Sequence, residues 1–343
     1  MTVVYCTTVF RKPAQEQFMN IIITGSIAYD YLMRFPGRFT DHLIGEQLHQ
    51  ISLSFLVDDM TKHWGGVAAN IAFNTAMLGL RTHLMGTTGR DFPDYRRWLD
   101  NVGVDTSTVR QIDEVFTASF FVNTDLDNNQ IASFYTGAMA YAKNYSIADV
   151  YEGQPDLVVI SPNDPDAMIK LARECRQRAI PFMADPSQQI PRFTSDQLLE
   201  TTEGARILIV NAYEAGVLCK QLGQTIDDLQ AQHEILVVTQ GASGALIYHQ
   251  GQKIDVPAFP VDAILDPTGA GDAFRAGFLR GMAADFPLQL CGMMGSLCAC
   301  YVLEQVGTQN HNFTVSEFVQ RFRQHADDEG LLDSLLVEAS VSG

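Results

Sequence analysis

Short runs of β-branched and aliphatic residues alternate along this chain with longer segments of helical periodicity, and that alternation narrows the fold more than any other feature. Strands are predicted over Asn20–Thr24, His83–Thr87, Leu157–Ser161, Pro181–Ala184, Ile207–Val210 and Ile235–Thr239. Helices are predicted over Val67–Leu78, Asp94–Asn101, Pro165–Arg178 and Tyr213–Leu222. Continuous apolar strands separated by helices predict an α/β fold whose mostly parallel central sheet is covered by helices on both faces. In such a sheet the ligand crevice lies beyond the carboxyl ends of the strands.

Two segments break the alternation, Tyr31–Val57 and Phe116–Tyr135. They carry runs of period two, Ile51–Leu56 and Ala118–Val122, with no helix between, and such runs suit antiparallel strands. Together they predict a small sheet projecting from the main domain, a lid with segments at about 31–60 and 113–137; edge strands of the large sheet are the plainer alternative. Residues 1–18 differ in character from the rest of the chain, and they are expected to be a disordered extension, or text ahead of a true start at Met19, outside a single large domain at 19–343. Their apolar stretch Val3–Phe10 precedes Arg11 and Lys12, the wrong order for a secretory signal.

The chain has 343 residues, 46% of them hydrophobic, which is ample for a sizeable core. A net charge of −17 with no Lys/Arg cluster repels polyphosphate backbones, so a nucleic-acid partner is not expected. No apolar run reaches the ~20 residues needed to span a bilayer. The six cysteines form no Cys-x-x-Cys pair and read as reduced core residues, which points to the cytoplasm rather than to a metal site. The histidines show no ligand spacing: His63, His83 and His233 read as structural or surface residues, and Met293 and Met294 as core.

Chemistry concentrates in Asp266-Pro267-Thr268-Gly269-Ala270-Gly271-Asp272-Ala273-Phe274. Two glycines around Ala270 let backbone approach a phosphate. The amides of Gly269, Ala270 and Gly271 then point at the opening of a helix, where the macrodipole favours negative charge. Asp272 follows at once. A carboxylate beside an anion nest does not bind the anion, so it suits accepting a proton from an attacking hydroxyl. An ordinary turn with a helix cap has the same text, but the small and apolar residues through Leu279 recur at helical spacing and extend a buried helix.

Four weaker signals surround this loop. Gly65-Gly66 before Asn70 permits hinge motion and close ligand approach, though a simple helix entry explains it equally. Asp30 follows the first strand and has two acceptor oxygens, suited to adjacent sugar hydroxyls or to capping a turn. Asn211 and Glu214 follow another strand and suit water, Mg²⁺ and phosphate oxygens. Thr239-Gln240-Gly241-Ala242-Ser243-Gly244 places glycines where a nucleotide lies against backbone. No Gly-x-Gly-x-x-Gly fingerprint and no Gly-x4-Gly-Lys-Ser/Thr loop accompany them, which demotes Rossmann dehydrogenases and Walker-type ATPases.

In this order GGVAAN, NAYE, TQGASG and DPTGAGDAF resemble the ribokinase-like (PfkB-type) family of carbohydrate and nucleoside kinases, from about Ile21 to Gln309. TGSIAYDYLMRFPGRF, SLSFLVDDM, QIASFYTGAM, ADPSQQI and DAFRAGFL look closer still to bacterial adenosine kinases of mycobacterial type. The resemblance implies a ribokinase-like fold with a β-sheet lid, ATP, Mg²⁺ and a nucleoside phosphorylated on its 5′-hydroxyl; dependence on a monovalent cation stays open. It implies that Asp272 is the catalytic base and Gly269, Ala270 and Gly271 the anion hole. Asp30 and Asn70, with Gly66 nearby and Ser26 alongside, match residues that hold ribose hydroxyls. Phe120 and Phe134 match lid aromatics that sandwich the purine, with Gln188 and Gln189 near the nucleoside. Asn211, Thr239, Gly241 and Gly244 match the ATP side, and Glu214 the Mg²⁺ and phosphate network. A homodimer through the lid sheet is also implied. His311, near the Gly307-Thr308-Gln309 turn, reads with the other histidines as a structural or surface residue, with a place near the ATP base as the alternative. Thr136 stands where the family pattern has Pro. Two other readings stay open, a ribose- or fructose-type sugar kinase and a nucleoside-binding protein without activity.

Overall fold

Ile21-Ile22-Ile23-Thr24 is fully buried and forms the first strand, β1 (Ile21–Thr24), near the edge of an eight-stranded sheet. The structure is a computed structural model that describes residues 19–42 and 52–342, so the expectation for residues 1–18 lies outside the described residues. β1 pairs in parallel with β4 (His83–Met85) and β9 (Leu157–Ile160). The sheet continues in parallel through β10 (Phe182–Ala184), β11 (Ile207–Asn211) and β12 (Ile235–Thr239). An antiparallel hairpin, β13 (Ala245–His249) and β14 (Gln252–Val256), closes the far edge.

Because side chains alternate across a strand, both faces of a doubly covered sheet must be apolar. Ile21, Ile23, Leu157, Val159, Ile207 and Ile209 join one core with α1 (Val67–Met77), α2 (Pro93–Val102) and α8 (Ala270–Ala283). Their neighbours Ile22, Val158, Ile160, Leu208 and Val210 join a second core with α4 (Pro165–Gln177), α5 (Ser195–Thr202) and α6 (Ala212–Leu222). Each such side chain contributes about 1.5–3 kcal/mol by burial, and a one-residue slip exchanges the two sets. α9 (Leu288–Leu303) packs directly on α8: a Cβ on Gly277 would lie 2.4 Å from the Met294 carbonyl oxygen. That contact fixes the helix on whose first turn the site is built.

The predicted strand His83–Thr87 is two strands, β4 and β5 (Thr87–Gly89), and β5 leaves the sheet to pair with β6 (Arg110–Ile112). The lid is a separate four-stranded sheet, not an edge of the main one. Its order is β3 (Asp59–Gly65), β2 (Ala28–Arg34), β7 (Ala118–Thr124), β8 (Gln130–Tyr135). β2–β3 and β7–β8 are antiparallel, but the central β2–β7 pair is parallel. The run Ile51–Leu56 does not form the expected strand: residues 52–57 make no ladder, and Ile51 lies outside the described residues. Phe55 instead packs its ring on Phe35 and Phe39, at 5.0 and 4.9 Å between centroids, while Leu56 stays 83% exposed. The ladder with β2 falls to the polar segment Asp59–Gly65, which has no apolar alternation to announce it.

Cys175, Cys291, Cys298 and Cys300 are buried and free, Cys219 is half-buried and free, and Cys6 lies outside the described residues. Met294 is fully buried and Met293 half-buried. Among the described residues no helix is long and apolar enough to cross a membrane.

Candidate active site

Gly269 has φ +84°, a left-handed conformation, and a Cβ there would meet the Thr308 side chain at 2.9 Å. It lets the chain turn from Asp266 into α8 with no side chain capping the helix. Asp266 braces the turn by accepting from the amides of Thr268 (2.9 Å) and Gly307 (3.0 Å). Of the three predicted loop amides, that of Ala270 already donates to the Pro267 carbonyl at 3.3 Å. The first turn of α8 is the uncapped positive end of a 14-residue helix.

Asp272 lies on that first turn. Asn70 Nδ2 donates to its Oδ2 at 2.8 Å, from one turn into α1. Burial pushes the Asp272 carboxyl up to about 7; Arg275 and Asn70 oppose this, and Asp185 and Asp30 add to it. Arg275, one turn along α8, is buried, donates Nη1 to the Gly271 carbonyl at 2.8 Å, and pairs through Nη2 with Asp185. Asp185 is fully buried just beyond β10, and burial lifts its carboxyl to about 6 against the pull of Arg275.

The lid supplies the opposite wall. Asp30 pairs in register with Phe120, and Phe120 with Phe134, so all three stand on one face of the small sheet. Burial, then the charge of Asp266, lifts Asp30 to about 6. Gly66, at φ +95°, turns the end of β3 into α1, where a Cβ would lie 2.6 Å from the Ala28 nitrogen. The Ser26 hydroxyl accepts from the Val67 amide at 3.0 Å and so caps α1 in place of the glycine. Ser187, at φ +42°, opens the turn that carries Gln188 and Gln189. Gln189 Nε2 donates to the Asn163 carbonyl at 2.8 Å, and Arg192 donates to Gln189 Oε1 at 3.2 Å.

These residues enclose a cavity of about 510 Å³, lined by Ser26, Asp30, Gly66, Asn70, Phe120 and Phe134, and also by Gln188, Gln189, Arg192, Thr308, Gly269 and Asp272. A second cavity of about 350 Å³ is lined by Thr239, Gly241 and Gly244 at one end and by Ala270 and Gly271 at the other. Its remaining wall is mostly apolar, with Phe259, Val261, Ile264 and, from α9, Ala299 and Leu303, beside Ser296 and Cys300. The start of α8 therefore separates two chambers, with Asp272 and Gly269 facing one, Ala270 and Gly271 the other.

Asn211 and Glu214 line neither chamber. They form a reciprocal cap at the start of α6: Glu214 N donates to Asn211 Oδ1, and Asn211 N to the Glu214 carboxylate, both at 2.8 Å. The second Glu214 oxygen accepts from the Ser187 hydroxyl at 3.2 Å. Mg²⁺ keeps several waters and takes one or two carboxylates beside substrate phosphates. Glu214 is part-exposed and each carboxylate oxygen accepts one hydrogen bond, which leaves a lone pair on each for a water, so it fits an ion held that way. His311 takes the structural role rather than the alternative beside the ATP base: it is buried beneath α1, donates Nε2 to Asn74 Oδ1 at 2.8 Å, and is outside the second chamber. A ring between Phe73 and Phe313 packs as core.

Sequence reading missed Asp185, Arg192, Arg275, Thr308 and Gln309. Arg275 alone left a local signal, four residues after Gly271 on a helix, the spacing at which a side chain reaches back over the preceding turn.

The pfkB carbohydrate kinase family matches residues 26–314 of the chain. A nucleoside kinase of Methanocaldococcus jannaschii is 31% identical over 308 residues, covering 89% of this chain and 97% of that protein. The structure of a Burkholderia thailandensis nucleoside kinase in complex with inosine superposes with a TM-score of 0.78 at 34% identity, covering 89% of this chain and 97% of that one. The same kinase in complex with ADP-inosine gives 0.76 at 35%, covering 89% and 95%. These relatives are nucleoside kinases of an archaeon and of Burkholderia, so they do not single out the mycobacterial type of adenosine kinase. Matched over most of its length in sequence and in ribokinase-like fold, the chain belongs to the PfkB family, among its nucleoside and sugar kinases.

Proposed function

We propose that the protein transfers the γ-phosphoryl group of ATP to the 5′-hydroxyl of a purine nucleoside, with adenosine as the first substrate to try. One observation carries this reading: Asp272 and the uncapped start of α8 lie between an aromatic-and-carboxylate chamber and an apolar, glycine-edged one. In the first chamber a purine stacks between Phe120 and Phe134, and Asp30 accepts from ribose hydroxyls. In the second, the nucleotide base lies on apolar wall and the phosphates reach the amides at the start of α8. Asp272 accepts the proton of the attacking hydroxyl, and the helix end holds the charge that gathers on the transferring oxygens. Glu214 would hold Mg²⁺ through water, and the ion supplies charge neutralisation to the phosphates. Closure of the lid excludes water, which otherwise competes for the phosphoryl group.

The aromatic pair favours a nucleoside over a free sugar, because a sugar needs hydrogen-bonding groups around its whole ring. A coupled ADP-release assay over adenosine, inosine, guanosine, cytidine, ribose and fructose tests this. Turnover highest with a purine nucleoside is the expected result; turnover with ribose or fructose alone overturns the reading. A homodimer through the lid belongs to the same proposal. On the face opposite Asp30, Phe121, Ile131 and Tyr135 are 38%, 45% and 43% exposed.

A further inference from the structure

An amide has two ends of nearly equal size, and the end of Asn70 that faces Asp272 decides whether that carboxylate meets a donor or a second acceptor. The bonds around Asn70 leave one answer. Trp98 on α2 has only an N–H to offer, and it donates to Gln309 Oε1 at 3.0 Å. That places Gln309 Nε2 on the other side, where its two hydrogens go to Asn70 Oδ1 at 2.9 Å and to the Tyr95 hydroxyl at 2.6 Å. Tyr95 spends its own hydrogen on the Gly65 carbonyl at 2.9 Å, so it can only accept from Gln309. The chain starts at a group that only donates and ends at one that only accepts, which gives every amide along it a single polarity. Gln309 and Tyr95 are 1% and 0% exposed, so water does not substitute for a missing partner.

We infer that Gln309 is a positioning residue: anchored by Trp98 and Tyr95, it holds Asn70 with its N–H toward Asp272, so that the base always meets a donor. This rests on the reading of Asp272 as general base. Gln309 lines neither chamber, so its effect on transfer runs through Asn70. Thr308 cannot do the same alone. Its hydroxyl lies 2.9 Å from both the Trp64 carbonyl and Asn70 Oδ1, and a hydroxyl that donates to Trp64 can accept from Asn70 Nδ2 as readily as it can face the oxygen. Without Gln309 the amide can turn, presenting its oxygen to Asp272 and favouring the protonated carboxyl.

The test is the kcat–pH profile of wild type, Gln309→Met and Trp98→Phe, neither of which adds charge. Arg275 on α8, Asp185 beyond β10, Asp30 on the lid and Arg192 at the cavity wall also face Asp272 or its chamber, and all are unchanged in both variants. The acid limb is expected to move up by about 1–2 pH units in Gln309→Met, the size set by losing one hydrogen bond to a charged group. Trp98→Phe should move it the same way by less, and KM for ATP should stay within about twofold. A folded Gln309→Met with the wild-type acid limb, or with kcat reduced equally at every pH, overturns the inference. If Gln309→Met does not fold, Trp98→Phe decides by the same criteria. Wild type that phosphorylates no nucleoside or sugar overturns the general-base reading and this inference together. Active wild type with an unmoved limb overturns the inference alone.

Discussion

A carboxylate in open water ionises near 3.8 and is then a feeble base; lifted to about 7 by burial, Asp272 holds a proton more firmly once it has taken one. The same burial sets the pH dependence of turnover, since only the ionised form can act. Activity should rise with pH through about 7, read as the acid limb of kcat. Asp272→Asn keeps the shape and removes the base, so kcat should fall at least ~100-fold while adenosine binding by calorimetry persists. Stability should move the other way. The ordinary value lies below the folded one, so the unfolded chain ionises first, and stability is lost as pH rises from about 4 to 7. Asparagine escapes that loss. Thermal midpoints of Asp272→Asn and wild type should nearly coincide at pH 4 and separate by about 6 °C at pH 8, the variant higher. Arg275 is the converse case. Replacing it with Met strands a fully buried Asp185, and urea denaturation should record about 3–5 kcal/mol of lost stability.

At the scale of elements, strand pleat and helix spacing do most of the placing. Asp30, Phe120 and Phe134 come from three strands, yet one register line sets them on one face. Phe134, 48% exposed, contributes a face to stack on and little to the fold. Phe134→Ala should therefore raise KM for adenosine about tenfold with a smaller change in kcat and an unchanged thermal midpoint. The loop from Asp266 to Phe274 was legible because its chemistry is local: glycines, a carboxylate and a helix start within nine residues. Lid strand β3 was not legible, since a polar strand paired on one side and exposed over much of its length carries no apolar alternation. Gln309 was hidden for a different reason. Its partners Asn70, Tyr95 and Trp98 stand more than 200 residues away in sequence, and only the folded chain brings them together.

Across the whole molecule, the parallel sheet and its helical cover followed from composition and periodicity, because a strand buried on both faces must be apolar throughout. How the lid strands pair did not follow, since that order depends on contacts between distant segments. Net charge of −17 sets a general constraint on association: like-charged protomers meet only where apolar area outweighs repulsion. The proposed dimer would use the outer lid face, where Tyr31 stacks on Phe121 at 4.8 Å, as that area. Phe121→Glu should shift the protein toward a monomer in sedimentation velocity, with the ATP-side KM unaffected. The partition between the chambers has a further consequence. It is one turn of main chain thick, with Asp272 facing one side and Ala270 and Gly271 the other. If Asp272 takes only the proton, as proposed, both reactants occupy the enzyme simultaneously: initial-rate lines should intersect rather than run parallel, and a donor chiral at its terminal phosphorus should deliver that centre with its handedness reversed.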